Sequence, residues 1–411
     1  MAVKSLGREG TGFLAGFLKR TAGGTPAPRA EPEPRASPAA RIRGERGALT
    51  ELLAKADIGI GGARPWDIVV HDERLFRRVM ARGSLGAGES YMDGWWDCEQ
   101  LDEMIFRLMR AHIEQRLRSP RALWLALLAK LRNPQSRRRA FVIGERHYDI
   151  GDDLYVRMLD RRMIYSCGYW RTAASLDEAQ EHKLDLVCRK LGLERGMRVL
   201  DIGCGWGGAA RFAVERYGVS VTGITVSEKQ AAAGRERCHG LPVQILLQDY
   251  RALQGTFDRI FSLGMFEHVG VRNYRTYLKK VRELLAPDGL FLLHTIGSNV
   301  SNVTTDPWIE KYIFPNSMLP SMAQIAAAAE RTWVIEDWHN FGVDYDRTLL
   351  CWSRNIESRW AEIADRYGPR FRRMWHFYLM ASAAGFRARE NQLWQIVMSP
   401  RGLVGGYREV R

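Results

Sequence analysis

The residues best suited to chemistry form the run Arg198-Val-Leu-Asp-Ile-Gly-Cys-Gly-Trp-Gly-Gly208. An apolar stretch, 199–202, leads into glycines at 203, 205, 207 and 208, and a helical pattern follows over 209–217. Glycines let backbone approach a ligand closely, and a helix start offers unpaired N–H groups, so strand, turn and helix together make a nucleotide site. The spacing is G-x-G-x-G-G, whereas dinucleotide binders use G-x-G-x-x-G and an acidic residue after the second strand. Here that strand ends at Thr225, and Val226-Ser-Glu-Lys-Gln230 follows. After the third strand stand Gln248 and Asp249, a carboxylate suited to an adenine amino group. The set fits S-adenosylmethionine better than NAD. Ser227 and Gln230 also satisfy S-x-x-Q, a helix capping box, so both roles stand open for them.

The elements that must position these residues alternate. Strands are predicted at 219–225, 243–247 and 257–263, with helices over 227–238 and 274–285. Pro287-Asp-Gly289 then turns into a strand over 290–295. Successive units of this kind build an α/β parallel sheet covered by helices, with ligands at the carboxyl ends of the strands. This catalytic unit is expected over 141–411. Upstream, 1–45 reads as a flexible basic leader and 46–118 as a small α+β domain. That domain is expected to hold a strand at 66–71, a helix at 73–81, tight glycine turns through an aromatic loop at 83–97, and a helix at 102–116. Between the two lies 119–140, where an apolar Trp- and Leu-rich stretch has basic ends and Arg137-Arg-Arg139 follows. Such a segment suits a lipid interface, and equally a buried inter-domain helix with a solvated basic tail.

Net charge is +14 over 411 residues, which favours anionic partners. No Asn-Pro-Pro-Tyr-type motif and no recognition helix point to nucleic acid, so the charge is assigned to an anionic membrane surface. No run reaches the roughly 18 apolar residues of a spanning helix, and the expected location is cytoplasmic, peripheral to the inner face of the cytoplasmic membrane. The cysteines at 98, 167, 188, 204, 238 and 351 form no C-x-x-C pair, and no H-E-x-x-H occurs, so neither a structural nor a catalytic metal is expected.

Longer motifs surround the glycine turn. They are Glu145-Arg-His-Tyr-Asp-Ile-Gly-Asp-Asp-Leu154, Met163-Ile-Tyr-Ser-Cys-Gly-Tyr-Trp170 and Gly264-Met-Phe-Glu-His-Val-Gly270. Further on come His294-Thr-Ile-Gly-Ser298, Trp308-Ile-Glu-Lys-Tyr-Ile-Phe-Pro315 and Glu336-Asp-Trp-His-Asn-Phe-Gly-Val-Asp-Tyr-Asp346. In this order they closely resemble the bacterial cyclopropane-fatty-acyl-phospholipid synthases, of the mycolic acid cyclopropane synthase-like methyltransferase family. The likeness runs from 145 to 394 and is looser before that. It implies a Rossmann-like class I methyltransferase domain with a mostly parallel seven-stranded sheet. It also implies transfer of a methylene group from S-adenosylmethionine to a cis double bond of a phospholipid acyl chain, a bound bicarbonate, and a peripheral homodimer.

Carried over by position, the resemblance gives Tyr165, Ser166, Gly203, Gly205, Thr225, Ser227, Gln230, Gln248 and Asp249 to the cofactor. It gives Cys167 and Ile296 (through backbone), Glu267, His294 and Tyr345 to bicarbonate, with Glu267, His294, Tyr345 and Cys167 as the catalytic set. Some family members are described with a catalytic cysteine near the C-terminus; here Ser382 stands at that place, so an active enzyme needs no thiol there. The chemistry is coherent with these residue types. An acyl carbocation needs dry aromatic surroundings, and ring closure needs a general base. Tyr165, Tyr169, Trp170, Phe266, Trp308 and Tyr312 lie near the motifs, most of them expected as core packing, as is His268. The alternatives are a lipid methyltransferase making methyl-branched or methylene chains, and a catalytically silent lipid-binding homologue.

Overall fold

The computed structural model describes residues 38–113 and 151–411. The segments expected as a leader up to 37 and as a basic amphipathic linker over 119–140 lie outside the described residues.

Seven strands form one sheet. In chain order they are β3 Arg198–Ile202, β4 Ser220–Thr225, β5 Val243–Leu247, β6 Phe257–Leu263, β7 Leu285–Ser298, β8 Val334–Asn340 and β9 Asn391–Ser399. Their spatial order is β5-β4-β3-β6-β7-β9-β8, with β9 antiparallel to both neighbours and the other pairs parallel. This is the mostly parallel seven-stranded α/β sheet expected. Both faces are covered, which is why β3 is apolar almost throughout. Leu200 and Ile202 face one core with Tyr277, Leu278 and Val281; Val199 faces the other with Leu184, Phe212 and Ala213.

The helices flanking the sheet are α4 Asp152–Met158, α5 Leu176–Lys190, α6 Gly208–Tyr217, α7 Glu228–Arg237 and α8 Tyr274–Leu284. Beyond β7 come α9 Pro307–Tyr312, α10 Met322–Ala329, α11 Val343–Ser358 and α12 Ala364–Arg387. β7 is longer than predicted. Its register jumps from Phe257↔Leu285 to Arg259↔Leu290, so Pro287-Asp-Gly289 forms a bulge inside the strand instead of a turn before it.

Before the sheet stand α1 Pro38–Ala54, β1 Val69–Val70, α2 Arg74–Met92, β2 Trp96–Asp97 and α3 Leu101–Arg110. α1 begins inside the segment expected as leader. The strand predicted over 66–71 shortens to β1, paired antiparallel with β2. The larger correction concerns 83–97, expected as a loop of tight turns: α2 continues to Met92 across one kink at Gly83 (φ 56°, ψ −134°). The glycines past the kink serve close packing. A Cβ on Gly86 would lie 2.3 Å from Arg78 O, and one on Gly88 would lie 2.4 Å from the Trp308 ring.

That packing joins the N-terminal helices to the rest of the chain. Phe76, Trp96 and Leu101 share one apolar core with Trp308, Tyr378 and Leu379. Glu89 of α2, almost fully buried, accepts from Lys311 Nζ at 2.7 Å and Tyr312 Oη at 3.0 Å, both on α9. Arg387 of α12 donates to Asp102 of α3 at 2.7 Å. Gly88→Ala is therefore expected to lower stability by about 1–3 kcal/mol through overpacking against Trp308. Gly47→Ala, at a helical site where a Cβ meets nothing within 4 Å, is expected to raise it slightly. Thermal denaturation of the two variants checks the pair of opposite signs.

Candidate cofactor and base sites

The glycine turn is built as its spacing requires. Gly203, Gly205 and Gly207 have φ of 90°, 53° and 79°, in the left-handed region that side chains disfavour. Gly208 opens α6 so tightly against the preceding loop that a Cβ would lie 2.1 Å from Arg162 O. A cavity of about 180 Å³ opens at this turn, at the carboxyl ends of β3, β4 and β6. Of the residues expected to meet the cofactor, Tyr165, Ser166, Gly203, Gly205, Thr225, Gln230, Gln248 and Asp249 line it.

Ser227 does not line this cavity. It is the N-cap of α7, its Oγ accepting from Gln230 N at 3.3 Å, while its own N–H donates to Thr225 Oγ1 at 3.2 Å. Thr225 Oγ1 in turn donates to Gln230 Oε1 at 2.9 Å, so half of a capping box forms and Gln230's side chain is held toward the cavity wall. Asp249 is fixed by its neighbour: Arg251 donates to the two carboxylate oxygens through Nε and Nη2, both at 2.9 Å.

Sequence reasoning passed over two residues here. Arg251 lines the cavity beside Asp249. Asp201, the one acid inside the apolar β3 run, also lines it, buried, with Oδ2 lacking a partner among the described residues. Burial pushes its carboxyl up to about 8, against the pull of the Lys183 charge. A carboxylate interrupting Val-Leu-Asp-Ile was the available signal.

A second group of candidate residues lies where β6 and β7 end. His294 pairs with Leu263 across the two strands, and the Gly264 N–H donates to His294 O at 2.9 Å. Glu267 follows on a single helical turn, and its Oε1 accepts the Ile296 N–H at 2.7 Å. Its Oε2 and His294 Nε2 are both buried without a partner among the described residues, while His294 Nδ1 lies 3.4 Å from Gln395 Nε2. Burial pushes Glu267 up to about 7 and drives His294 well below the usual imidazole range, so the ring is neutral. Buried polar atoms normally have partners, so two such orphans, on the adjoining ends of β6 and β7, fit a small polar guest. His268, expected as packing, lines the cofactor cavity with its ring 6.1 Å from that of Phe314, and burial lowers it to about 4.

Cys167 and Tyr345 are both positioned by α11. Thr348 Oγ1, on α11, accepts from Gly168 N at 3.1 Å and from Trp170 Nε1 at 2.9 Å, clamping the loop that carries Cys167. Tyr345, one turn earlier on α11, stacks on Phe386 with centroids 4.5 Å apart. The Cys167 thiol faces Gly168 O at 3.1 Å, and burial raises it well above the ordinary thiol range, which leaves its backbone as the useful part. Tyr165 sits among Tyr155, Trp352 and Tyr378, its hydroxyl 2.9 Å from that of Tyr378. Phe266 and Trp308 pack on Tyr274 and Phe377, as core residues do.

A carboxyl raised by burial costs stability wherever it must ionise. For Glu267 that cost is absent below the unfolded value near 4.5, grows as pH rises, and is complete above about 7. Glu267→Gln, which keeps the acceptor for Ile296, is expected to gain stability as pH rises from 4.5 to 7, by roughly 3 kcal/mol at most, and to gain no more above that. Denaturant melts across this range read the slope.

Residues 135–396 match the mycolic acid cyclopropane synthetase family. The chain is 53% identical over 362 residues to the cyclopropane-fatty-acyl-phospholipid synthase of Escherichia coli (strain K12), covering 88% of this chain and 94% of that protein. Among solved structures it is similar to a cyclopropane synthase from Mycobacterium tuberculosis, with a TM-score of 0.60 and 29% identity over 63% of this chain and 97% of that one. A mycolic acid cyclopropane synthase solved with SAH and CTAB gives a TM-score of 0.59 and 31% identity, covering 63% of this chain and 97% of that one.

Proposed function

Since the chain belongs to the mycolic acid cyclopropane synthetase family, we propose that it is an S-adenosylmethionine-dependent cyclopropane-fatty-acyl-phospholipid synthase. It transfers a methylene group to a cis double bond of a phospholipid acyl chain and releases S-adenosylhomocysteine. The observation that carries this reading is that Glu267 Oε2 and His294 Nε2 are buried without a partner among the described residues, on segments whose neighbours Leu263, Gly264, Met265 and His268 line the glycine-turn cavity. A plain methyl transfer needs a donor site; ring closure also needs a base held out of water.

When bound, S-adenosylmethionine supplies the methyl, and bicarbonate supplies the base that takes one of its protons. The glycine turn and the Tyr165-Ser166 loop hold the donor, and such positioning is worth roughly 7–11 kcal/mol of barrier. Tyr165, with Tyr155, Trp352 and Tyr378 around it, keeps water away and turns aromatic faces to the positive charge that develops on the acyl chain, each worth about 0.5–2 kcal/mol. Glu267, anchored through Oε1, keeps Oε2 for the O–H of the bicarbonate, and with its carboxyl near 7 it can share that proton. Neutral His294 would offer Nε2, with Tyr345 and the Cys167 backbone completing the cradle, while the Ile296 N–H serves by holding Glu267 Oε1. Once the proton leaves the transferred methyl, the C–H electron pair closes the ring.

Purified protein incubated with S-adenosylmethionine and vesicles of cis-unsaturated phospholipid is expected to add one CH₂ unit per converted chain, read by mass spectrometry. Product NMR separates a ring from a methyl branch or methylene, and an unchanged acyl pool overturns the reading. Glu267→Gln is expected to lose about 10²–10⁴-fold of ring formation while still binding S-adenosylhomocysteine; full activity would remove Glu267 from the mechanism.

The protein further acts as a homodimer, peripherally, on the cytoplasmic face of an anionic membrane. Its net charge of +14 supports the attachment to an anionic surface, and no described helix is long and apolar enough to cross a bilayer. Sedimentation with anionic vesicles is expected at low salt and to fall away at high salt. Binding indifferent to both lipid charge and salt would defeat the electrostatic attachment.

A further inference from the structure

Lys183, on α5, is fully buried. Lysines are almost never interred without a compensating partner. Lys190, the other fully buried lysine among the described residues, has one, with its Nζ 3.0 Å from Asp337 Oδ2. Lys183 instead donates to a neutral group, Ser166 Oγ, at 3.0 Å. One turn earlier on the same helix, Gln180 Nε2 donates to Ser166 O at 2.7 Å. α5 thus grips the Tyr165–Cys167 loop by both the carbonyl and the hydroxyl of Ser166.

The groups that feel the Lys183 charge come from three places: Asp160 and Cys167 on the flanks of that loop, Asp201 on β3, and His294 on β7. Asp160 already accepts from the Ile164 and Arg162 N–H groups, at 2.8 and 2.9 Å. Asp201 Oδ2, in the cofactor cavity, and His294 Nε2, in the base pocket, have no partner among the described residues. The ammonium is thus bonded to a residue that lines the cofactor cavity, and its charge reaches both Asp201 and His294. Burying an anion beside Glu267 demands a nearby positive charge. His294 cannot supply it, because burial keeps the ring neutral, and Lys190 is committed to Asp337. Burial holds Lys183 down at about 8, which leaves it mostly charged at neutral pH.

We propose that Lys183 is a positioning residue for both ligands: its charge balances the anion held by Glu267, His294 and Tyr345, and its hydrogen bond to Ser166 sets the loop against the cofactor. This rests on the reading that bicarbonate occupies that pocket.

Three variants separate the two effects. Lys183→Gln keeps a donor for Ser166 without the charge, Lys183→Met removes both, and Lys183→Arg keeps the charge. Binding of ¹³C-bicarbonate followed by NMR, and of S-adenosylhomocysteine by calorimetry, are measured on the full chain beside its thermal melt. Lys183→Gln is expected to weaken bicarbonate at least tenfold while S-adenosylhomocysteine stays within threefold. Lys183→Met is expected to weaken both, and Lys183→Arg to hold bicarbonate within threefold of the unaltered protein. Equal bicarbonate affinity in Lys183→Gln and the unaltered protein overturns the charge role. Parallel loss of both ligands with a lowered melting temperature in every variant, Arg included, overturns it in favour of a structural lysine. If the unaltered protein binds no bicarbonate, the anion reading itself falls and takes this inference with it, a result distinct from the other two.

Discussion

The bond from the Ile296 N–H to Glu267 Oε1, 2.7 Å long, ties the turn after β6 to the strand beside it, and the chemistry proposed above depends on that tie. Both of its ends are set by sheet register. Leu263 lies opposite His294, so the chain leaving β6 must pass the residues that follow His294 on β7. Side chains alternate along a strand, so His294 and Ile296 share one face; a slip of one residue would turn both away and bring Leu293 and Thr295 into their place. β9 pins the register from the far side by pairing His294 with Gln395 and Ile296 with Leu393. Gln395 then also brings its amide to His294 Nδ1. A base pocket made of two loops would lack this precision. Built on paired strands, it inherits the rigidity of the sheet.

The donor site uses a different device, close approach. Gly203 leaves no room for a Cβ, which would lie 2.8 Å from Met265 Cβ, and Met265 is two residues from Glu267. Gly208 brings α6 against Arg162, three residues before Tyr165. The glycine turn therefore contacts both of the segments that shape the reaction, the Tyr165–Cys167 loop and the Glu267 turn. Its glycines give a ligand access to backbone N–H groups, and they also set the distance between the donor cavity and the base pocket.

How much of this was legible follows from which residues carry local signals. β3, β4, β5 and β6 were readable because each is a short apolar run closed by glycine or polar residues, and because the helices between them keep a helical period. Thr225, Gln248 and Asp249 could be placed because ligands meet α/β sheets at strand ends. The stretch from Gly83 to Met92 misled because glycines signal turns locally, whereas here Trp308, more than 200 residues later, needs the space at Gly88. The bulge in β7 was hidden for a similar reason: Pro287-Asp-Gly289 is turn chemistry that the neighbouring β6 absorbs. Lys183 was invisible because a lysine in a helix looks ordinary until its burial is known, while Asp201 left only the slight signal of an acid interrupting an apolar strand. Longer motifs carried Glu267, His294 and Tyr345, which no spacing rule would have joined, since they stand on the turn after β6, on β7 and on α11, far apart in the chain.

Desolvation accounts for the remaining features. A carbocation on an acyl chain survives only where water is excluded, and excluding water from this pocket also strips it from Glu267, Asp201, His294 and Lys183. Each responds in the direction burial dictates: the acids rise, the imidazole and the ammonium fall. A carboxyl near 7 beside a neutral imidazole can share a proton in either direction, which an exposed glutamate, fully ionised at that pH, cannot do. A lysine at about 8 still carries its charge, yet close enough to neutrality that no carboxylate in direct contact is needed to hold it. The dryness that the proposed cation requires is thus also what shifts these buried groups, and the large apolar cores on either side of the sheet supply it.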